Sequence, residues 1–226
     1  MELYNSVKTV FDSSQNLIID REWTICESDD NASLKALKIS GIQTGSYSID
    51  KDLYSNRFEK IFDKSSKLND IDCDGCAIVH HNQKKYMVLV ELKSGFDAAK
   101  IYKAYQQTLV TLLKNHMLFS LCGGYDIKKY DAIILIACLP PDKNTEVWLN
   151  YTHMLMQNAS ENVKRDCCFA TKLYFEKKLH TKMRDITFLG HLSFADTLKD
   201  LNIHIALKTP LTINDTTLEI SVESVL

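Results

Sequence analysis

Two apolar runs, a long amphipathic helix between them and a pair of charges closing the first run predict a three-layer α/β/α domain on a central mixed β-sheet. The runs are Tyr86 to Val90 and Ala132 to Leu139, apolar at successive positions, which is the pattern of strands covered on both faces. Between them Ile101, Tyr105, Thr108, Leu109, Leu112, Leu113 and Leu118 recur at helical spacing over about residues 97 to 120. A strand, a long helix and another buried strand make a crossover that sets the two strands parallel. A polar turn at His81, Asn82, Gln83 and Lys84 folds the preceding strand, which carries Asp74, back antiparallel, so the sheet is mixed.

Composition bounds the reading. The 226 residues suit one domain, residues 1–226, and 45% hydrophobic residues suffice for a sizeable core. Ala132 to Leu139 is too short to span a bilayer, and residues 1 to 15 lack a basic stretch followed by an apolar one. The expectation is a cytoplasmic protein with no membrane role. Seven cysteines, an odd count without regular spacing, point to reduced thiols.

Residues 1–48 read as an N-terminal extension that extends or covers the sheet, with strand-like Leu17–Ile19 and Trp23–Ile25 and a polar turn at Glu27 to Asn31. Residues 49–139 read as the core of the domain. It opens with a helix from Ile49 to Phe62, with Ser48 as its cap and Asp50 and Asp52 in its first turn. Ser65 to Asp70 reads as a loop. Cys73 and Cys76 form a lone CxxC without a second pair at metal-ligand spacing, and Gly75 permits close approach by a ligand or a kink in the strand. Cys122, Gly123 and Gly124 end the long helix, and Pro140 and Pro141 stop the strand after it.

Residues 140–226 complete the sheet. They read as a helix from Thr145 to Gln157, a basic tract over 164–184, a strand from Asp185 to Leu189, a helix near Ser193 to Leu201, and strands His204 to Lys208 and Thr217 to Val222. Between Lys164 and Asp185 seven Lys or Arg face three acids, in a chain of net charge −2. With Phe169, Tyr174 and Phe175 interleaved, the tract reads either as a surface tracking a phosphate backbone or as solvated surface.

The charges at the end of the first run carry the chemistry. Glu91 and Lys93, two apart on a strand, point to one side. Charges at the end of a buried strand lose water and need compensation. A turn centred on Asn82 and Gln83 sets Asp74 opposite Glu91, about 4.5–5.5 Å away between Cβ atoms, where like charges repel unless a cation lies between them. Two hard oxygen ligands completed by water suit Mg²⁺ or Mn²⁺. A turn slipped by two residues in pairing would substitute Asp72 for Asp74, and a slip of one would send the side chain to the other face.

An Asp, a hairpin's length of chain, Glu-x-Lys closing an apolar strand, then a helix: this order resembles the PD-(D/E)XK nuclease superfamily, the restriction-endonuclease-like fold. The likeness covers about residues 49 to 139, with Cys73 where the family's name has proline. It implies Asp74 and Glu91 as metal ligands, the Leu92 carbonyl as a further ligand and Lys93 as the catalytic lysine. In RecB-like members the helix after the lysine carries a glutamine, for which Gln106 stands here, but Val110 and Thr111 occupy the place of the tyrosine that follows. The first helix of such folds often bears an extra acid; Glu59 is that acid or a solvated helix-surface residue beside Arg57 and Lys60. Lys100, Lys103, Gln106 and Gln107 either hold a phosphate and orient Lys93 or form a wet helix face.

The resemblance implies a Mg²⁺-dependent endonuclease acting on DNA, of the restriction or anti-phage defence kind. A dormant nuclease-like subunit binding a helicase or ATPase partner is the alternative, and an interaction protein without a nucleic-acid role is a third. The acidic total charge favours help in gripping DNA from such a partner or from a homodimer.

Overall fold

The computed structural model describes residues 2–11, 17–27, 29–54, 71–157, 163–189, 194–212 and 214–226. In chain order these form α1 (Glu2–Phe11), β1 (Glu22–Cys26), β2 (Ala36–Ser40), β3 (Tyr47–Ile49), α2 (Lys51–Tyr54), β4 (Gly75–His81) and β5 (Lys84–Lys93). There follow α3 (Ala98–Phe119), β6 (Tyr130–Cys138), α4 (Lys143–Gln157), α5 (Arg165–Glu176), β7 (Lys178–Lys182), α6 (Asp196–Lys199), β8 (Asn202–Lys208) and β9 (Thr217–Ser221). The protein is mixed α/β, with two mixed sheets.

The larger sheet has the order β3-β4-β5-β6-β8-β7. Its centre is β5 and β6, parallel and joined by α3, as the crossover pattern predicts. The β4–β5 hairpin pairs Gly75 with Val90 through to His81 with Lys84, so the turn is centred on Asn82 and Gln83. Both turn residues have positive φ, 47° and 65°, the twist a two-residue hairpin requires. α3 begins at the N-cap Asp97, whose carboxylate accepts the Lys100 N–H at 3.0 Å.

The two faces of this sheet are covered differently, which corrects the expectation of helices on both. Alternate residues Met87 and Leu89 of β5 and Ile134 and Ile136 of β6 face a core that takes buried apolar residues from all six described helices. Val88, Val90, Ile133 and Leu135 face the other way, onto the second sheet, ordered β1-β2-β9. Among the described residues this face has strands where helices were expected. β1 alternates buried with exposed residues and β2 buried with half-buried ones, the signature of a sheet with one wet side. The extension thus covers the main sheet, and β9, paired parallel to β2, locks the distant end of the chain onto it. Gly75 belongs to this packing: a Cβ there would lie 3.0 Å from Ile25 and 3.1 Å from Trp23, so the close approach is made by the second sheet.

Other expectations move. Ile49 ends β3 and the helix starts at Lys51; beyond Tyr54 that predicted helix, Glu59 included, and the predicted loop lie outside the described residues. α1, unpredicted, buries Leu3, Tyr4 and Val7. Asp185 to Leu189 is not a strand but part of two 3₁₀ turns, Met183–Asp185 and Thr187–Leu189. Met183, Ile186 and Leu189 are buried at intervals of three, which fits the 3₁₀ period and not the strand period of two.

Leu37, fully buried between the sheets, tests whether the second sheet is part of the cooperative unit. Leu37→Ala is expected to lower unfolding free energy by about 2–5 kcal/mol in a single urea transition; a loss below that, or a separate early transition, would mean that β1, β2 and β9 fold independently.

Candidate active site

The open end of the β4–β5 ribbon gathers Asp74, Glu91 and Lys93, as the strand pattern predicts. Asp74 stands one residue before β4, and its N–H reaches both the Val90 carbonyl at 3.0 Å and Glu91 Oε2 at 3.2 Å. Its own Oδ2 accepts the Leu92 N–H at 2.8 Å. Each acid is therefore tied to the strand that carries the other. Lys93 turns back onto Glu91 Oε1, as the two-residue spacing requires, and donates to Gln107 Oε1 at 3.1 Å. A second ammonium, Lys51 at the start of α2, lies 3.8 Å from Asp74 Oδ1.

Glu91 is 2% exposed. Burial first, and then the Asp74 carboxylate, push its carboxyl up to about 8 against the pull of Lys93. Asp74 is raised as well, by burial, with the Leu92 N–H opposing. The two acids are thus close enough to resist joint ionisation, the repulsion expected from their opposed positions.

α3 holds this end of the ribbon through three polar side chains on one side, at spacings of four and three. Gln107 Nε2 donates to the Asp72 carbonyl at 3.0 Å, Thr111 Oγ1 accepts the Cys73 N–H at 3.0 Å, and Lys114 Nζ meets Asp72 Oδ1 at 2.6 Å. Lys114 is 1% exposed, so Asp72 is its counter-ion and not the partner of Glu91. Thr111 and Lys114 are the residues that sequence reading missed. The available signal was a lysine one position past Leu112 and Leu113 in an apolar helix, which needs an acid beside it.

The amide that reaches Lys93 is Gln107; Gln106 lies one position round α3, half-buried. Leu92 contributes its N–H to Asp74, and its side chain lies in the opposite core. Lys100 and Lys103 are exposed. Cys73 and Cys76 are buried, with both thiols held well above the usual range by burial, and all seven cysteines are free. In the basic tract, now α5 and the edge strand β7, Phe169 stacks on Tyr105 at 4.5 Å and Tyr174 meets Phe96 edge-on, so neither ring is free to stack on a nucleic-acid base. Phe175 remains exposed. Arg184 is paired with Asp200 and Lys172 with Glu176.

Among the described residues no three His, Cys, Asp or Glu side chains converge as a metal cluster. The carboxylates that do converge are the pair Asp74 and Glu91, whose mutual repulsion and hard oxygens fit a small divalent cation completed by water. No described helix is long and apolar enough to cross a membrane. Comparison of the chain with protein-family models, with curated proteins and with solved structures finds no match in any of the three.

Two measurements follow from the geometry. Folded Glu91 holds a proton that the unfolded chain releases, so metal-free stability is expected to fall as pH rises from about 4.5 to about 8. Glu91→Gln should flatten that slope in melting temperatures taken across the range; an unchanged slope would place the titration elsewhere. Lys114→Met, which leaves Asp72 without this ammonium, should cost about 3–5 kcal/mol. Adding Asp72→Asn should recover part of the loss in denaturation midpoints, whereas strictly additive effects would show that the pair is not coupled.

Proposed function

We propose that the chain is a metal-dependent phosphodiesterase, an endonuclease of the PD-(D/E)XK type acting on DNA, in restriction or anti-phage defence. The observation that carries the reading is the joint placement of Asp74, Glu91 and Lys93 at the end of one ribbon, with the acids opposed and the lysine on the Glu91 side. The order of strand, crossover helix and parallel strand supports it.

Asp74 and Glu91 would hold Mg²⁺ or Mn²⁺, with the Leu92 carbonyl as a further ligand. The chemistry such an ion supplies when bound is polarisation of a phosphoryl oxygen and a lowered pKa for bound water. Lys93, oriented by Gln107, offers its ammonium to the scissile phosphate and to the attacking water, offsetting negative charge as it develops. Asp72 and Lys114 act at one remove, fixing the backbone that delivers Asp74.

A second reading, a dormant nuclease-like subunit that serves a helicase or ATPase partner, is favoured by a specific feature. Lys51 lies 3.8 Å from Asp74 and Lys93 is bonded to Glu91, so each acid already faces an ammonium group without a cation.

Supercoiled plasmid with Mg²⁺ or Mn²⁺ separates the two. Nicking by the parent, reduced at least ~100-fold in Glu91→Ala and in Lys93→Ala, is the expected result. Equal rates in parent and variants would sink the hydrolytic reading, and an inert parent would favour the dormant one.

A further inference from the structure

We infer that the opposite end of the same ribbon, at the β4–β5 turn, is a binding site for an oligophosphate group. A cavity of about 520 Å³ opens there, within the range of small-ligand sites. Arg21, His80, Lys84 and Lys85 line it together with Gln43 and Gln83, and among the described residues no carboxylate and no Phe, Tyr or Trp does. Among the described residues no carboxylate lies within ion-pair distance of Arg21, Lys84 or Lys85. Three permanent cations therefore border one cavity without a carboxylate in ion-pair range, in a chain whose net charge is −2, and the Lys85 ammonium lies 5.8 Å from the centroid of the Tyr130 ring beside it. Their repulsion is relieved by an anion.

The frame of the cavity is built, since three separated chain segments are cross-tied around it. The Asn82 N–H donates to Gln43 Oε1 at 3.1 Å, the His80 N–H to Ser46 Oγ at 2.9 Å, and the Ser46 hydroxyl to the Gln43 carbonyl at 2.8 Å. Ser46 is fully buried. Arg21 has a left-handed backbone, φ 64°, and its carbonyl accepts the Ile42 N–H at 3.1 Å. That bond ties the strained arginine to the loop that forms the cavity wall.

The chemistry selects the ligand. A guanidinium offers paired donors to phosphate oxygens, and two ammonium groups and two amides add further donors. Without a Phe, Tyr or Trp ring the cavity has no broad platform for a base, so recognition rests on phosphates. Two or more linked phosphates match three cations better than one. β5 spans ten residues, about 30 Å, between Lys84 and Lys93, so this site is separate from the acids and does not depend on the nuclease reading.

The ligand chemistry has two sources, a free oligophosphate compound or the backbone of a nucleic acid. Calorimetric titration of the full chain without divalent cations tests both, with inorganic pyrophosphate, ADP and a short DNA duplex as probes. Saturable pyrophosphate binding is expected, weakened at least ~10-fold by Lys84→Gln with Lys85→Gln and by Arg21→Gln. Lys84→Arg with Lys85→Arg should retain it, and so should Lys172→Gln on the distant α5 surface. Pyrophosphate and ADP binding alike, with the duplex failing to compete, assigns a free ligand; duplex competition lost in the glutamine variants assigns the backbone. No saturable binding of any probe, or binding that the glutamine variants leave unchanged while melting normally, overturns the site. Because binding is read without divalent ion, hydrolysis by Glu91 and Lys93 can fail while this site stands.

Discussion

Glu91 lies two residues before the end of a strand buried on both sides, and its carboxyl group has almost no water. A charge in that position survives only with partners, and the structure surrounds it with the Asp74 N–H, the Lys93 ammonium and, through Lys93, the Gln107 amide. Each partner comes from a different element: the approach to β4, the end of β5, and α3. The hairpin register, the crossover and the long helix must all be correct before this one carboxylate is accommodated. In turn the raised pKa of Glu91 records that accommodation is incomplete, since burial and Asp74 together outweigh Lys93.

The Asp72–Lys114 pair makes the contrast. It is nearly as buried, but its short contact comes with further bonds to the same backbone from Gln107 and Thr111. It behaves as a clamp, fixing the chain two residues before Asp74. One column of α3 therefore serves two ends: Lys114 and Thr111 fix the backbone, and Gln107 bridges from that backbone to Lys93. The helix buries two further polar residues, Thr108, whose hydroxyl donates to the Ala104 and Tyr105 carbonyls, and Asn115, whose Nδ2 donates to Cys76 Sγ at 3.4 Å, and Gln107, Thr111 and Lys114 are accommodated because each meets a named partner.

The ribbon also divides the molecule by face. Odd-numbered residues of β5 meet helices and carry Glu91 and Lys93 on the same side, while even-numbered residues meet the second sheet. The second sheet packs close because Gly75 has no side chain to hold it off, which brings β1 against the very residue that follows Asp74. Support for the acid pair thus arrives from both faces, through α3 on one and through Trp23 and Ile25 on the other.

Periodicity and turn chemistry are local properties, and they were legible. The runs of β5 and β6, the α3 stripe, the turn at Asn82 and Gln83, and hence the pairing of Asp74 with Glu91, follow from spacing and turn residues. Which of Gln106 and Gln107 reaches Lys93 depends on helix phase, and one residue is a rotation of about 100°. That Lys114 finds Asp72, that Phe169 and Tyr174 turn inward, and that strands cover the second face depend on contacts between segments far apart in the chain. Burial alternates along Glu22–Cys26 and Ala36–Ser40, so each of these strands has one dry side. Only the folded chain decided what would dry it, because a hydrophobic face specifies that it must be covered and not by which element.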